Sequence, residues 1–352
     1  MNHAFSETLI SWYKSNARNL PWRETSDPYR IWLSEIILQQ TRVEQGLPYF
    51  HRFMEIFPSL KDLAEAPDEK VMKCWQGLGY YSRARNLQSA ARHVFYECQG
   101  NFPEKYHDLL KLKGVGPYTA AAIASFSFGE KIPVVDGNVY RFISRYFGID
   151  LEVGNQKAHR YFSELLLKLM PDDRPDLFNQ ALMEFGGLQC VPQSPKCVRC
   201  PFRENCYARR NNSVSAFPVK GRKTKVKEVY FNFGVVHHQG KFYLNQRDDQ
   251  GIWKRLWHFP LIETNRAMEI PEILSLFAKD WNISLNELRQ TGVWKTIHLL
   301  SHRKIHAFFW ELEADIPPNK NDIFEMEADE IEKYALPRLM TKYLIERKHV
   351  SK

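Results

Sequence analysis

No apolar run in the 352 residues approaches the ~20 that a helix needs to cross a bilayer, so a soluble protein with no membrane partner is expected. No export signal is evident at the start. Phe5, Leu9, Trp12 and Tyr13 instead fall at helical spacing among Glu7, Lys14 and Arg18, the pattern of an amphipathic helix. Cysteine is scarce, six in all. Without an export signal, those thiols argue against a disulfide framework and for a reducing, cytoplasmic setting. Internal repeats and low-complexity tracts are also missing. A formal charge of +8 fits a polyanionic partner but does not by itself establish one.

The chain is long enough for two domains, each with its own core. From residue 1 to about 210, apolar residues recur at threes and fours, broken at Pro28, Pro58, Pro103, Pro133 and other prolines. That half is expected to be all-α. Between 211 and 227 the periodicity fades and Arg222, Lys223, Lys225 and Lys227 gather, the composition of a solvated linker. Beyond it the period becomes two: Val229, Phe231, Phe233 and Val235 alternate with other residues, Gly240 marks a turn, and Phe242 and Leu244 resume. A second hairpin is expected from 293 to 312, with helices at 271–280 and 336–347. Residues 228–352 should therefore form an α+β domain.

Four of the cysteines share one short stretch, Cys190-x6-Cys197-x2-Cys200-x5-Cys206. Thiolates this close can wrap one compact metal centre. Structural zinc sites pair two short knuckles, whereas here only Cys197 and Cys200 form a knuckle, so the spacing points to a 4Fe-4S cluster with zinc as the rival. Cys74 and Cys98 lie in helical patterns and are expected to be small buried hydrophobes.

Three further segments carry chemistry. Residues 112–120, Leu-Lys-Gly-Val-Gly-Pro-Tyr-Thr-Ala, join two helical patterns through a glycine-rich turn. Gly114 and Gly116 leave backbone N–H groups uncovered next to a helix start at Pro117, which suits a DNA phosphate; an ordinary interhelical turn is the alternative. In Pro133-Val134-Val135-Asp136-Gly137-Asn138, a carboxylate stands where a helix should begin. Asp136 is therefore an N-cap, and a capped carboxylate is expected to stay ionised. In the helical pattern around Tyr29–Thr41, Ile31, Glu35 and Leu38 share a stripe. An acid among apolar neighbours should have a raised pKa and serve as a proton donor, unless it is held in a structural ion pair.

Glycine hairpin, downstream aspartate and cysteine cluster occur in the order of the helix-hairpin-helix DNA glycosylases. With Ser34-Glu35 and Leu38-Gln39-Gln40-Thr41 added, the chain resembles adenine DNA glycosylases of the MutY type over essentially its whole length. The resemblance implies an all-α glycosylase domain over 1–210, with a six-helix part at about 27–134 and a cluster part from 1–26 and 135–210. A linker at 211–227 and a Nudix-like domain at 228–352 would follow. It implies a monomer that flips adenine out of duplex DNA, opposite 8-oxoguanine or guanine, and hydrolyses its glycosidic bond.

Residue by residue, the resemblance makes Glu35 the proton donor to adenine N7. Asp136 becomes the stabiliser of the cationic sugar, or its transient captor, with Tyr118 and Asn138 in support. Gln39, Gln40, Thr41, Leu78 and Tyr80 would hold the strand open, with Tyr80 as a wedge, and Gly114 and Gly116 would grip phosphate. Cys190, Cys197, Cys200 and Cys206 would hold the cluster. Ser301 and His302 would read the opposing 8-oxoguanine, although Leu300 stands where the family usually has phenylalanine. Tyr118 replaces the lysine of the endonuclease III branch, so efficient lyase chemistry is not expected. The rivals are an endonuclease III-like pyrimidine glycosylase with lyase activity and a catalytically silent DNA-binding iron-sulfur protein. The glutamate-rich helix that holds Mg²⁺ in Nudix hydrolases is missing after Pro260.

Overall fold

The computed structural model describes residues 2–221, 226–239, 241–248, 251–300, 302–328, 330–347 and 349. Its contacts divide into two compact units: residues 1–65 with 86–222, and residues 66–85 with 223–352. In chain order the helices of the first two-thirds are α1 (Asn2–Asn16), α2 (Pro28–Leu38), α3 (Val43–Ile56), α4 (Leu60–Glu65), α5 (Asp68–Trp75), α6 (Ser82–Arg92), α7 (Tyr106–Leu109), α8 (Pro117–Phe128), α9 (Gly137–Phe147), α10 (Gln156–Leu169), α11 (Pro175–Leu188) and α12 (Tyr207–Arg210). Among the described residues, no helix is long and apolar enough to cross a membrane.

In the first unit, local chemistry sets where helices begin. Asp27 caps α2 by accepting from Tyr29 N at 2.9 Å, with Pro28 as the first helical residue. Asp136 caps α9, accepting from Val139 N at 2.7 Å, and such caps contribute about 1 kcal/mol each. The turn before α8 requires Gly114: its φ is 81°, and a Cβ there would lie 2.6 Å from the Asn86 Cβ. Ala120, Ala121, Ala122 and Ala124 are buried in α8, which packs on α2, and their small side chains permit the close approach. A second core gathers Phe5, Phe142, Phe178, Phe185 and Phe202 where α1, α9 and α11 meet. Each buried phenylalanine contributes roughly 1.5–3 kcal/mol.

Residues 211–221, expected as the first part of a linker, are tied to this unit. Arg145 Nε donates to the carbonyls of Val214 and Phe217, and Val153 N donates to Val219 O. The basic residues Arg222, Lys223 and Lys225 lie outside the described residues.

The second unit contains β1 (Lys227–His237), β2 (Lys241–Gln246), β3 (Trp257–His258), β4 (Leu261–Thr264), α13 (Ile270–Trp281), β5 (Leu288–Leu299), β6 (Arg303–Ala314), β7 (Ile323–Glu327) and α14 (Arg338–Glu346). One sheet has the order β4-β1-β6-β5, with β1 and β6 parallel, and the other the order β3-β2-β7. The period of two is realised in β1: Phe231, Phe233 and Val235 enter a core shared with Phe242, Phe309 and Tyr343, where Phe309 and Tyr343 stack at 4.5 Å. Val236 joins a second core with Phe277, Trp281 and Trp310. β1 and β2 do not form the ladder that their alternation suggested. Among the described residues an isolated bridge, His238 to Lys241, lies between the two strands, which belong to different sheets. β5 and β6 do form the expected antiparallel hairpin, with Leu299 opposite Lys304.

Candidate active site

Glu35 and Asp136 reach one cavity of about 180 Å³ in the first unit, from α2 and from the N-terminus of α9. Ile31, Leu38 and Met183 give it apolar walls, and Tyr118 and Asn138 complete its polar lining. α2 delivers Glu35 because its stripe faces inward, leaving the glutamate 5 % exposed. Burial pushes the Glu35 carboxyl up to about 7. Hydrogen bonding with Tyr118 opposes the rise, the charge of Asp136 adds to it, and Arg23 opposes it again. Burial also raises the Tyr118 phenol well above its ordinary value, helped by the charges of Glu35 and Asp136, so it keeps its proton for donation.

At Asp136 burial and the cap bonds pull in opposite directions. Its cap bonds form, and Asn138 Nδ2 donates to its other oxygen at 2.7 Å. Desolvation nevertheless outweighs these bonds and the Arg141 charge, and the carboxyl sits above its ordinary value. Asn138 is itself fixed, accepting from Arg141 Nη2 at 2.8 Å, while Arg141 Nε donates to the Cys190 carbonyl at 2.7 Å.

A cluster missed by sequence reasoning forms another wall of the cavity. Arg18 donates to Glu184 from its backbone N and its Nε, both at 2.9 Å, and from Nη2 at 2.7 Å. Arg23 Nη2 adds a bond at 2.8 Å. Burial alone would raise Glu184, but the two guanidinium groups hold it down to about 2. The available signal was an acid flanked by apolar residues in α11, the same signal that exposed Glu35.

The strand-opening candidates divide. Gln39 Nε2 donates to Thr119 Oγ1 at 3.2 Å, Thr41 lines the cavity, and Gln40 is exposed with φ 56°. In the second unit, the 77–81 loop buries Leu78 and exposes Tyr80, so Tyr80 is the side chain that it presents. Gly114 is exposed, and Gly116 precedes α8 as its N-cap. At the tip of the β5–β6 hairpin His302 is exposed, Leu300 packs on the core, and Ser301 lies outside the described residues.

Cys190, Cys197, Cys200 and Cys206 line one cavity with Phe142, Phe185 and Phe202. Arg145 Nη1 donates to Cys190 Sγ at 3.4 Å. Burial pushes the Cys200 thiol up to about 12, so bare thiolates are disfavoured there. Among the described residues, no group of three or more His, Cys, Asp or Glu is arranged to hold a metal ion. The sulfurs instead surround a shared space. Cys74 is buried in α5, as expected, and Cys98 is partly exposed.

Comparison with known proteins agrees with this layout. The HhH-GPD superfamily of base excision DNA repair proteins matches residues 33–168, and a NUDIX domain matches residues 232–346. The adenine DNA glycosylase of Homo sapiens is 42 % identical, the alignment covering 89 % of this chain and 68 % of that protein. The chain belongs to the adenine DNA glycosylase family. A second adenine DNA glycosylase, from Buchnera aphidicola subsp. Schizaphis graminum, is 36 % identical over 74 % of this chain and 76 % of its own. The helical fold of this family member also matches a solved thermostable thymine-DNA glycosylase. That match has a TM-score of 0.55 and 32 % identity, covering 59 % of this chain and 96 % of that one.

Proposed function

We propose that this protein removes adenine mispaired with 8-oxoguanine or guanine in duplex DNA, by hydrolysing the glycosidic bond and leaving an abasic site. The observation that carries the reading is the convergence of Glu35 and Asp136 on one cavity that Tyr118 and Asn138 also line. Glu35, protonated near neutrality, gives its proton to adenine N7. The C1′–N9 bond then breaks and its electron pair leaves with the base. Asp136, oriented by Asn138, stabilises the cationic sugar or captures it transiently. Water adds hydroxide to C1′ and returns a proton to Glu35. Two carboxylates thus take opposite roles, the more strongly desolvated one acting as the acid.

No lysine is among the described residues lining the cavity, so no amine is at hand to form a Schiff base and cut the strand. We assign a 4Fe-4S cluster to the four cysteines. Their spacing, with Cys197 and Cys200 as the one short knuckle, favours the cluster over zinc, and all four line one cavity beside Phe142, Phe185 and Phe202. The cluster would tie down the loop after α11. Its basic residues Lys196, Arg199 and Arg203 would meet the phosphate backbone.

The Nudix-like domain, which we bound at 228–352 after a linker, would read 8-oxoguanine through Ser301 and His302, with the protein acting as a monomer. A gel assay on duplexes with adenine opposite 8-oxoguanine, guanine or thymine tests the reading. Strand breakage only after alkali supports it. Direct scission would support a lyase, and retardation without base loss would reduce the protein to a binder.

A further inference from the structure

The loop Gly77-Leu78-Gly79-Tyr80-Tyr81 lies within the stretch matched by the glycosylase family model, yet residues 66–85 form a compact unit with residues 223–352. Specific bonds hold it there. The Tyr81 hydroxyl donates to the Leu336 carbonyl at 2.9 Å, Gln76 Nε2 to Thr341 Oγ1 at 3.2 Å, and Arg85 Nη1 to the Lys254 carbonyl at 2.8 Å. Lys73 Nζ donates to the Glu332 carbonyl. These partners come from separate points of the C-terminal part of the chain.

The loop itself is held in an unusual shape. Gly77, Gly79 and Tyr80 all have positive φ, and at 47° Tyr80 is a bulky non-glycine residue in a sparsely populated region. Such a conformation persists only where its surroundings over-determine it. Here Trp75 Nε1 and Arg83 Nη2 both donate to the Gly79 carbonyl, at 3.0 and 3.4 Å, and Arg83 N donates to the Tyr80 carbonyl at 2.9 Å. The Arg83 guanidinium lies 5.0 Å from the Trp75 ring and 5.5 Å from the Tyr80 ring. Tyr81 completes the frame: it is 4 % exposed, and its hydroxyl also accepts from Gly77 N at 3.4 Å. One phenol therefore pins both ends of the loop to the backbone at Leu336, leaving Tyr80 51 % exposed.

We propose that Tyr81 is a positioning residue through which the C-terminal part of the chain sets the pose of Tyr80. This rests on the reading of Tyr80 as the wedge that opens the duplex beside the adenine. The part of the protein assigned to the opposing base then also holds the group that helps extrude the adenine. Recognition and extrusion share one frame, and loss of residues 228–352 impairs adenine extrusion as well as partner choice.

The test uses the full chain and a duplex with 2-aminopurine in place of the target adenine, opposite 8-oxoguanine, its fluorescence reporting the extruded population. Tyr81→Phe keeps the ring and removes the hydroxyl, and should lower extrusion about fivefold, the effect of one lost hydrogen bond. In a Tyr80→Ala background the same change should add less than twofold, because the residue through which it acts is gone. An equal fivefold loss in both backgrounds would show a general structural role and overturn the proposal, as would no loss in either. If Tyr80→Ala alone leaves extrusion unchanged, the wedge reading fails first and takes the proposal with it. Should Tyr81→Phe not fold, Gln76→Ala, which cuts the bond to Thr341, permits the same comparison.

Discussion

Around Glu35 the polar groups are fixed before any ligand arrives: Asn138 is held by Arg141, Asp136 by Asn138 and the α9 backbone, and Glu184 by two arginines. At the tip of the β5–β6 hairpin the arrangement is the reverse, with His302 exposed on a short turn and Leu300 folded back onto the core. The difference follows from the work assigned to each. Stabilising a developing charge depends on dipoles and charges oriented in a dry site, where they cost nothing to reorganise. Reading a base edge needs donors and acceptors within reach of a large partner, and an exposed turn supplies them. Damage to the first region should therefore appear in the chemical step, and damage to the second in the choice of partner.

The largest effect should come from Glu35→Gln, which removes the transferable proton but keeps the shape. Single-turnover adenine release should fall about 10³-fold, while mismatch affinity in a filter-binding assay stays within twofold. Equal loss of both would make Glu35 structural. The same residue makes a stability prediction with a definite sign. Because the folded carboxyl titrates near 7, above its unfolded value, the native state binds the extra proton and stability declines as pH rises from about 4.5 through 7. Glu35→Gln should thus stabilise the protein by about 3 kcal/mol at pH 8 and by little at pH 4, checked by urea unfolding at both pH values.

Glu184→Gln should cost about 2 kcal/mol of stability, since it leaves Arg18 and Arg23 without their shared anion, with Arg18 partly relieved by solvent. Denaturant midpoints measure this, and an unchanged midpoint would deny the cluster a structural part. The smallest effect belongs to the hairpin tip. His302→Ala should reduce the preference for 8-oxoguanine over guanine about tenfold and leave the rate on bound substrate nearly intact, as competition binding and single-turnover rates together would show.

Much of this was legible in the sequence because it is encoded locally. Asp136 and Asp27 announce their helices by residue type, Pro117 opens α8, and the alternation of Phe231, Phe233 and Val235 gives β1 an inner face. The candidate site was legible through the order of its motifs, which brought out Glu35 and Asp136 although 101 residues separate them in the chain. What stayed hidden depends on distant partners. Glu184 gains its meaning from Arg18 and Arg23, more than 160 residues away. Residues 66–85 read as part of the six-helix stretch at about 27–134, and it is the bonds from Lys73, Gln76, Tyr81 and Arg85 that associate them with the C-terminal part. The separation of β1 from β2 is similar: alternation specifies a strand but not its neighbour. The balance at Asp136 was hidden because a cap motif shows the stabilising bonds and not the depth of burial opposing them.

The most direct measurement is the pH dependence of single-turnover adenine release opposite 8-oxoguanine, in the wild-type protein and in Glu35→Gln. If a buried acid on α2 drives departure of the base, the wild-type rate should fall as pH rises through about 7, and the residual rate of the variant should lack that limb. An alkaline limb that persists unchanged in Glu35→Gln would contradict the assignment.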